Sequence, residues 1–176
     1  GGVLANTFLK AKGVDIKGSK YDENSLKAAK KLVDDQKIVL PEDAVAGDKM
    51  DAKAQSAVVD FETLPAEWMI LDIGPKTIAQ YKEVLGKAKT VVWCGPVGAF
   101  EIPQFSAGTK AIAEYLAELK ATKIIGGGDS ADAIDQLGLA NKMTHVSVGG
   151  GTTLAILAGK ELPAVKALEE NEKIFT

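Results

Sequence analysis

Three glycine-rich stretches carry most of the chemistry visible in this sequence. They are Trp93-Cys94-Gly95-Pro96-Val97-Gly98-Ala99-Phe100-Glu101, Ile125-Gly126-Gly127-Gly128-Asp129-Ser130 and Val148-Gly149-Gly150-Gly151-Thr152-Thr153. Each follows a short run rich in β-branched residues, and Gly1-Gly2 opens a further helical pattern. In open α/β sheets, ligands lie outside the carboxyl ends of the strands. Glycine there lets the backbone come close to a ligand. A helix N-terminus adds unpaired N–H groups and partial positive charge, which suit phosphate. Asp129, at the head of such a helix, suits a hard cation such as Mg²⁺, which takes oxygen ligands and shares them with phosphates. The spacing is neither Gly-x-x-x-x-Gly-Lys-Ser/Thr nor Gly-x-Gly-x-x-Gly. The residues alone therefore point to a phosphorylated ligand, with a nucleotide as the leading candidate. Glycines that only make tight turns are the alternative, and three clusters at corresponding places weigh against it.

Composition narrows the partners. The 176 residues are 46% hydrophobic and 26% charged, as in a globular chain with a real core. The net charge of −3 offers no basic face for nucleic acid. No apolar run is long enough to cross a bilayer, and no signal peptide is visible. One cysteine, Cys94, allows no internal disulfide and fits a reducing compartment. All 21 basic residues are Lys. Without the bidentate fork of Arg, phosphate must be held by backbone amides, Lys, a metal or another chain.

The elements that would position these residues alternate. Strands are expected at Ile38–Leu40, Val58–Phe61, Met69–Ile73, Thr90–Cys94, Lys123–Ile125 and His145–Val148. Helices are expected near Leu4–Lys12, Asn24–Gln36, Thr77–Leu85, Ser106–Leu119, Ser130–Leu137, Thr152–Ala158 and Ala164–Glu170. Pro41–Lys53, with Pro, Gly and many charges, reads as a loop. The alternation predicts one α/β domain: a three-layer α/β/α (Rossmann-like) arrangement with a mostly parallel sheet. The ligand site is expected where the three glycine clusters meet.

The clusters hold more than glycine. Trp93–Glu101 resembles the W-N-G-P-x-G-V-F-E motif of phosphoglycerate kinases, and Gly126–Ser130 resembles their G-G-G-D-T/S. His145–Gly151 is similar to S-H-V-S-T-G-G-G, and Gly159-Lys160-Glu161-Leu162-Pro163 to G-K-x-L-P. Leu71–Pro75 matches L-D-I-G-P, and Gly1–Lys10 matches G-G-x-x-A-N-T-F-L-K. The resemblance covers essentially the whole chain, in order. It implies the C-terminal, nucleotide-binding domain, residues 1–176, without that domain's first strand and without the N-terminal domain. It also implies transfer of a phosphoryl group between 1,3-bisphosphoglycerate and ADP. The phosphoglycerate would be held by the N-terminal domain, and Mg²⁺ would come with ADP or ATP. A cytoplasmic protein, monomeric when complete, is expected.

Residue by residue, the resemblance places Gly1, Gly2, Met50 and Leu71 around adenine, with Ala99 where Val is usual. Glu101 would bond the ribose hydroxyls, and Gly95, Pro96 and Gly98 would shape the nucleotide loop. Cys94, Gly126 and Gly149 belong to the same nucleotide-binding motifs. Gly127, Gly128, Gly150 and Gly151 would donate amides to the transferring phosphate. Asp129 would hold Mg²⁺, and Ser130 would cap its helix and face a phosphate. Cys94 replaces Asn, Val148 replaces Thr, Thr152 replaces Ala, and Ala155 stands where Glu is common. As plain chemistry, Cys94 is a small buried hydrophobe rather than a nucleophile. His145 is expected to make a structural hydrogen bond, and Lys27–Lys31 a solvated helix face. A non-catalytic nucleotide-binding or structural relative is the alternative function. The chain alone is expected to lack turnover.

Overall fold

The computed structural model describes residues 1–34 and 38–175. Six strands and seven α-helices are assigned among them: α1 (Gly2–Ala11), α2 (Leu26–Asp34), β1 (Asp43–Gly47), β2 (Ser56–Asp60), β3 (Met69–Ile73), α3 (Pro75–Leu85), β4 (Thr90–Cys94), α4 (Ala107–Glu118), β5 (Thr122–Gly126), α5 (Gly128–Gln136), β6 (His145–Ser147), α6 (Gly150–Leu157) and α7 (Pro163–Phe175). The chain divides into two compact units. The first holds Gly1–Lys89 and Pro96–Ala121; the second holds Thr90–Gly95 and Thr122–Thr176.

The second unit is built on a parallel sheet in the order β4-β5-β6. Its register pairs Cys94 with Gly126 and Gly126 with Ser147. The three strands therefore end level, and the glycines that follow them leave from one edge. Ile125 is fully buried, as a central parallel strand covered by helices requires. Helix α5 buries Ala131, Ala133 and Ile134 along one stripe. The fold class is α/β with a parallel sheet and accompanying helices, as the alternating pattern implies.

The first unit carries a different sheet. β1 pairs antiparallel with both β2 and β3, in the order β2-β1-β3. A sheet parallel through most of its strands is thus not what these three form, and the connections show why. Only residues 48–55 join β1 to β2, and 61–68 join β2 to β3. A parallel crossover needs a dozen residues or more. The first connection closes as a hairpin, with Asp48 N–H donating to Gln55 O (3.1 Å) and Gln55 N–H donating to Asp48 Oδ1 (2.9 Å).

β1 itself falls inside the segment expected to be a loop, while Ile38–Leu40, expected as a strand, is not one. Asp-Ala-Val-Ala-Gly has little strand propensity, but its small side chains suit a crowded centre, where tertiary packing overrides propensity. A Cβ added at Gly47 would lie 2.8 Å from the Phe105 ring and 3.0 Å from Leu71. The helix expected over Asn24–Gln36 begins as a 3₁₀ turn, Glu23–Ser25, and α2 runs to Asp34; Gln36 lies outside the described residues. Lys27, Lys30 and Lys31 are exposed on α2, as a solvated face should be.

Two buried aspartates cap helices from the sheet. Gly74, the residue before α3, has no side chain to cap with. Asp43 of β1 supplies the carboxylate instead. It accepts from Lys76 N–H (3.0 Å), Thr77 N–H (2.8 Å) and the Thr77 hydroxyl (2.7 Å). A carboxylate at a helix N-terminus also meets its partial positive charge. Asp72 of β3 does the same for α4, accepting from Gly108 N–H at 2.7 Å. Below these caps, α4 buries Ile112, Ala113, Leu116 and Ala117 at helical spacing.

Candidate functional site

Each unit carries one constellation of the singled-out residues. In the second unit, Gly127 begins α5 with φ 105° and ψ 145°, a backbone shape that essentially only glycine adopts. Its N–H donates to Ser147 O (2.8 Å), which ties the turn after β5 to the end of β6. A Cβ added at Gly150 would stand 2.9 Å from Gly127 Cα. The two glycine triplets therefore pack backbone to backbone: Gly150 cannot take a side chain without pushing on Gly127, and Gly127 is held to glycine by its positive φ.

Ser130 brings in the first cluster. Its Oγ accepts from Gly95 N–H at 2.7 Å, and the residue is fully buried. The side chain expected to cap α5 instead lies inside its first turn; the cap position is Gly127, and no side chain caps this helix. Trp93 Nε1 donates to Gly95 O at 2.6 Å, holding the same turn from the other side. Cys94 is half-buried beside Gly126, where an added Cβ would lie 2.8 Å from its Sγ and 3.1 Å from Thr153. The Trp93–Gly95 start of the first cluster and the two triplets thus meet at the carboxyl edge of β4-β5-β6.

This edge presents amides with room in front of them. The first turn of a helix has no internal partners for its N–H groups. Gly128, Asp129 and Ser130 at the head of α5, and Gly151 and Thr152 at the head of α6, are in that position. A Cβ added at Gly128 or Gly151 would meet nothing within 4 Å. Such an edge can receive anionic oxygens through amides and two helix N-termini without Arg. Asp129 is exposed beside these amides. Among the described residues, no three His, Cys, Asp or Glu side chains gather to hold a metal. A lone exposed carboxylate beside helix N-termini is a donor set that suits Mg²⁺ only in company with other oxygen ligands, since this ion keeps waters and shares phosphate oxygens. His145 is exposed, and its ring makes no hydrogen bond among the described residues, contrary to the expected structural one.

In the first unit the loop from Pro96 lies against β3 and the start of α1. Ala99 N–H donates to Leu71 O (2.8 Å), Gly2 N–H donates to Val97 O (3.2 Å), and Val97 N–H donates to Thr109 Oγ1 (3.2 Å). A Cβ on Gly1 would overlap Val97, and one on Gly98 would overlap the Asp72 carboxylate. Gly1, Gly2, Leu71, Gly98 and Ala99 are thereby brought together. Glu101 is exposed one turn further along the loop. Met50 is 55% exposed on the β1–β2 connection, which Gln104 ties down by donating to Asp51 O at 2.9 Å. Asp72 and Thr109, which hold this loop, were not among the expected site residues. The signal for Asp72 was a carboxylate within an otherwise apolar strand, Met-Ile-Leu-Asp-Ile.

No helix among the described residues is long and apolar enough to cross a membrane. The family model for phosphoglycerate kinase matches residues 1–160. The phosphoglycerate kinase of Herpetosiphon aurantiacus is 46% identical over 175 residues, covering 97% of this chain and 44% of that relative. The chloroplastic enzyme of Volvox carteri is 48% identical over 178 residues, covering 97% of this chain and 38% of the relative. Among solved structures, phosphoglycerate kinase from Coxiella burnetii superposes with a TM-score of 0.88 at 39% identity, over 94% of this chain and 44% of that one. The enzyme from Pyrococcus horikoshii gives 0.83 at 34% identity, over 96% of this chain and 44% of that one. The chain thus spans less than half the length of the relatives it matches. With its motifs in order and its fold superposing on those structures, the chain belongs to the phosphoglycerate kinase family.

Proposed function

We propose that this chain is the C-terminal, nucleotide-binding domain of a phosphoglycerate kinase and takes ADP or ATP with Mg²⁺. The observation that carries the reading is the level carboxyl edge of β4-β5-β6, where two helix N-termini open onto unobstructed space. Family membership supplies the ligand class. The phosphates are taken by the amides of Gly128 and Gly151 and their neighbours in the second unit; Gly127 and Gly150, expected to donate as well, already give their N–H groups to Ser147 O and Val148 O and shape the turns instead. Adenine is taken by Gly1, Gly2, Met50, Leu71 and Ala99 of the first unit, and the ribose by Glu101. Asp129 would hold Mg²⁺, whose charge, when it is bound, offsets that of the phosphate oxygens.

In the complete protein, a β-phosphate oxygen of ADP attacks the acyl phosphate of 1,3-bisphosphoglycerate. The P–O bond to the carboxyl group breaks, 3-phosphoglycerate leaves as the carboxylate, and ATP forms. Backbone amides aimed at the transferring group stabilise the charge on its equatorial oxygens without needing to reorganise. The gly-rich edge does this work, while the phosphoglycerate is held by the N-terminal domain. A cytoplasmic, glycolytic, monomeric enzyme completes this reading.

Calorimetry with Mg-ADP and a coupled assay with Mg-ATP and 3-phosphoglycerate test it together. Binding without turnover is expected of this chain alone. Holding both substrates in line is worth on the order of 7–11 kcal/mol, and no Arg is present to clamp the acceptor. Turnover at the rate of a complete kinase would show that the chemistry has been assigned to the wrong half. Absence of any Mg-ADP binding would remove the nucleotide reading.

A further inference from the structure

Asp72 stands out among the residues that touch no proposed ligand. It is a carboxylate in the middle of an apolar strand, only 1% exposed. None of the ion pairs among the described residues includes it. Its oxygens are taken up by backbone: Oδ2 accepts from Gly108 N–H (2.7 Å) and Oδ1 from Ile73 N–H (2.8 Å). The bond to Gly108 makes Asp72 the cap of α4, whose own cap residue, Ser106, makes no such bond.

Capping does not account for everything packed on the carboxylate. The Val97–Ala99 loop packs directly on it, because an added Cβ on Gly98 would overlap Asp72 Oδ1. The residues flanking Gly98 are each pinned: Val97 N–H to Thr109 Oγ1 in the first turn of α4, and Ala99 N–H to Leu71 O on β3. One side chain therefore fixes both the head of α4 and the depth of the loop. A buried carboxylate with its oxygens occupied by amides is rigid, since leaving an amide unpaired in the interior is costly.

We propose that Asp72 is a positioning residue for the nucleoside: it seats the Val97–Ala99 loop on β3 and so sets where Leu71, Ala99 and Glu101 stand toward base and ribose. The proposal rests on the nucleotide-binding reading above. Asp72 acts through the loop and not by touching the nucleotide. Its effect is therefore confined to the base and ribose, while the phosphate-receiving amides of Gly128 and Gly151 are held by other residues.

The test compares two probes on Asp72→Asn and Gly98→Ala. Mg-ADP reports the whole ligand, and Mg-pyrophosphate reports the phosphate side alone; NMR titration reads even weak binding of either. Asn keeps one acceptor, so one of the two amides loses its partner. Ala at position 98 pushes the loop from the opposite side. Mg-ADP affinity should fall at least about fivefold in both variants, with Mg-pyrophosphate affinity kept within about twofold. Adding Asp72→Ser to Gly98→Ala should restore part of the lost Mg-ADP affinity, because the smaller side chain frees the space the new methyl needs. If Asp72→Asn fails to fold, Gly98→Ala and its double variant carry the test. Equal loss for both probes would reduce Asp72 to a purely structural residue and overturn the proposal, as would unchanged Mg-ADP binding. An unaltered protein that binds Mg-pyrophosphate but not Mg-ADP would overturn the nucleotide reading along with it.

Discussion

Gly128→Ala and Gly151→Ala should separate binding from stability. Both residues lie at the start of a helix, and neither has a positive φ. An added Cβ meets no heavy atom within 4 Å at either position. The fold therefore has no reason to resist the change. Replacing Gly by Ala at a compatible position stabilises by about 0.4–1 kcal/mol, because the unfolded chain loses freedom. Ligand binding should move the other way. A phosphate oxygen must come to about 2.9 Å from an amide nitrogen to accept its hydrogen bond, and the new methyl occupies part of that approach. A hydrogen bond to a charged group is worth roughly 1.5–3 kcal/mol, so each variant should bind Mg-ADP about 10–100-fold more weakly. Urea unfolding gives the first quantity and calorimetry the second. Increased stability with unchanged Mg-ADP affinity would mean that the open space before these glycines is not where phosphates go. A stability loss above about 1 kcal/mol would mean that the space is not open.

Three further outcomes follow from the buried polar groups and Cys94. Asp43→Ala removes the acceptor for Lys76 N–H, Thr77 N–H and the Thr77 hydroxyl; it should cost about 3 kcal/mol in urea unfolding, and a loss below about 1 kcal/mol would show that α3 does not need this cap. Burial pushes the Asp72 carboxyl up from 3.8 to about 6, against the lowering effect of the Gly108 and Ile73 amides. The folded protein thus favours the protonated form. Relative to Asp72→Asn, the unaltered protein should gain about 3 kcal/mol as pH falls from about 6 to 3.8 and lose it again as pH rises through that window; a difference in stability that stays flat with pH would refute this. Cys94→Asn should tighten Mg-ADP binding severalfold, through a new hydrogen bond worth about 0.5–1.5 kcal/mol, and weaker binding in calorimetry would show that Cys94 is no handicap.

The parallel half of the fold was legible in the sequence because its signals are local. β4, β5 and β6 are short runs that lead into glycine, and the helices after β5 and β6 begin within the triplets, at Gly128 and Gly150. β1 was not legible. Its five residues are small and only weakly strand-forming, and they become a strand because β2 and β3 lie on either side. The antiparallel order also comes from connection length, which a wrongly placed strand conceals: with β1 read as a loop, no hairpin can be seen. For the candidate site, glycine positions were readable but side-chain partners were not. Ser130 looks like a helix cap in sequence because it follows Gly-Asp. In three dimensions its hydroxyl belongs to Gly95, 35 residues earlier. Asp72 was passed over because its amide partner at Gly108 lies 36 residues away, and no local pattern predicts such a pair.

The most direct test of the central claim is a residue-resolved NMR titration of the ¹⁵N-labelled chain with Mg-ADP. The account expects saturable shifts at the amides of Gly128–Ser130 and Gly151–Thr152, which it assigns to the phosphates, and at Leu71 and Gly98–Glu101, which it assigns to the nucleoside. Mg-pyrophosphate should shift only the first group. Saturable shifts that map elsewhere, or none from either glycine triplet, would contradict it.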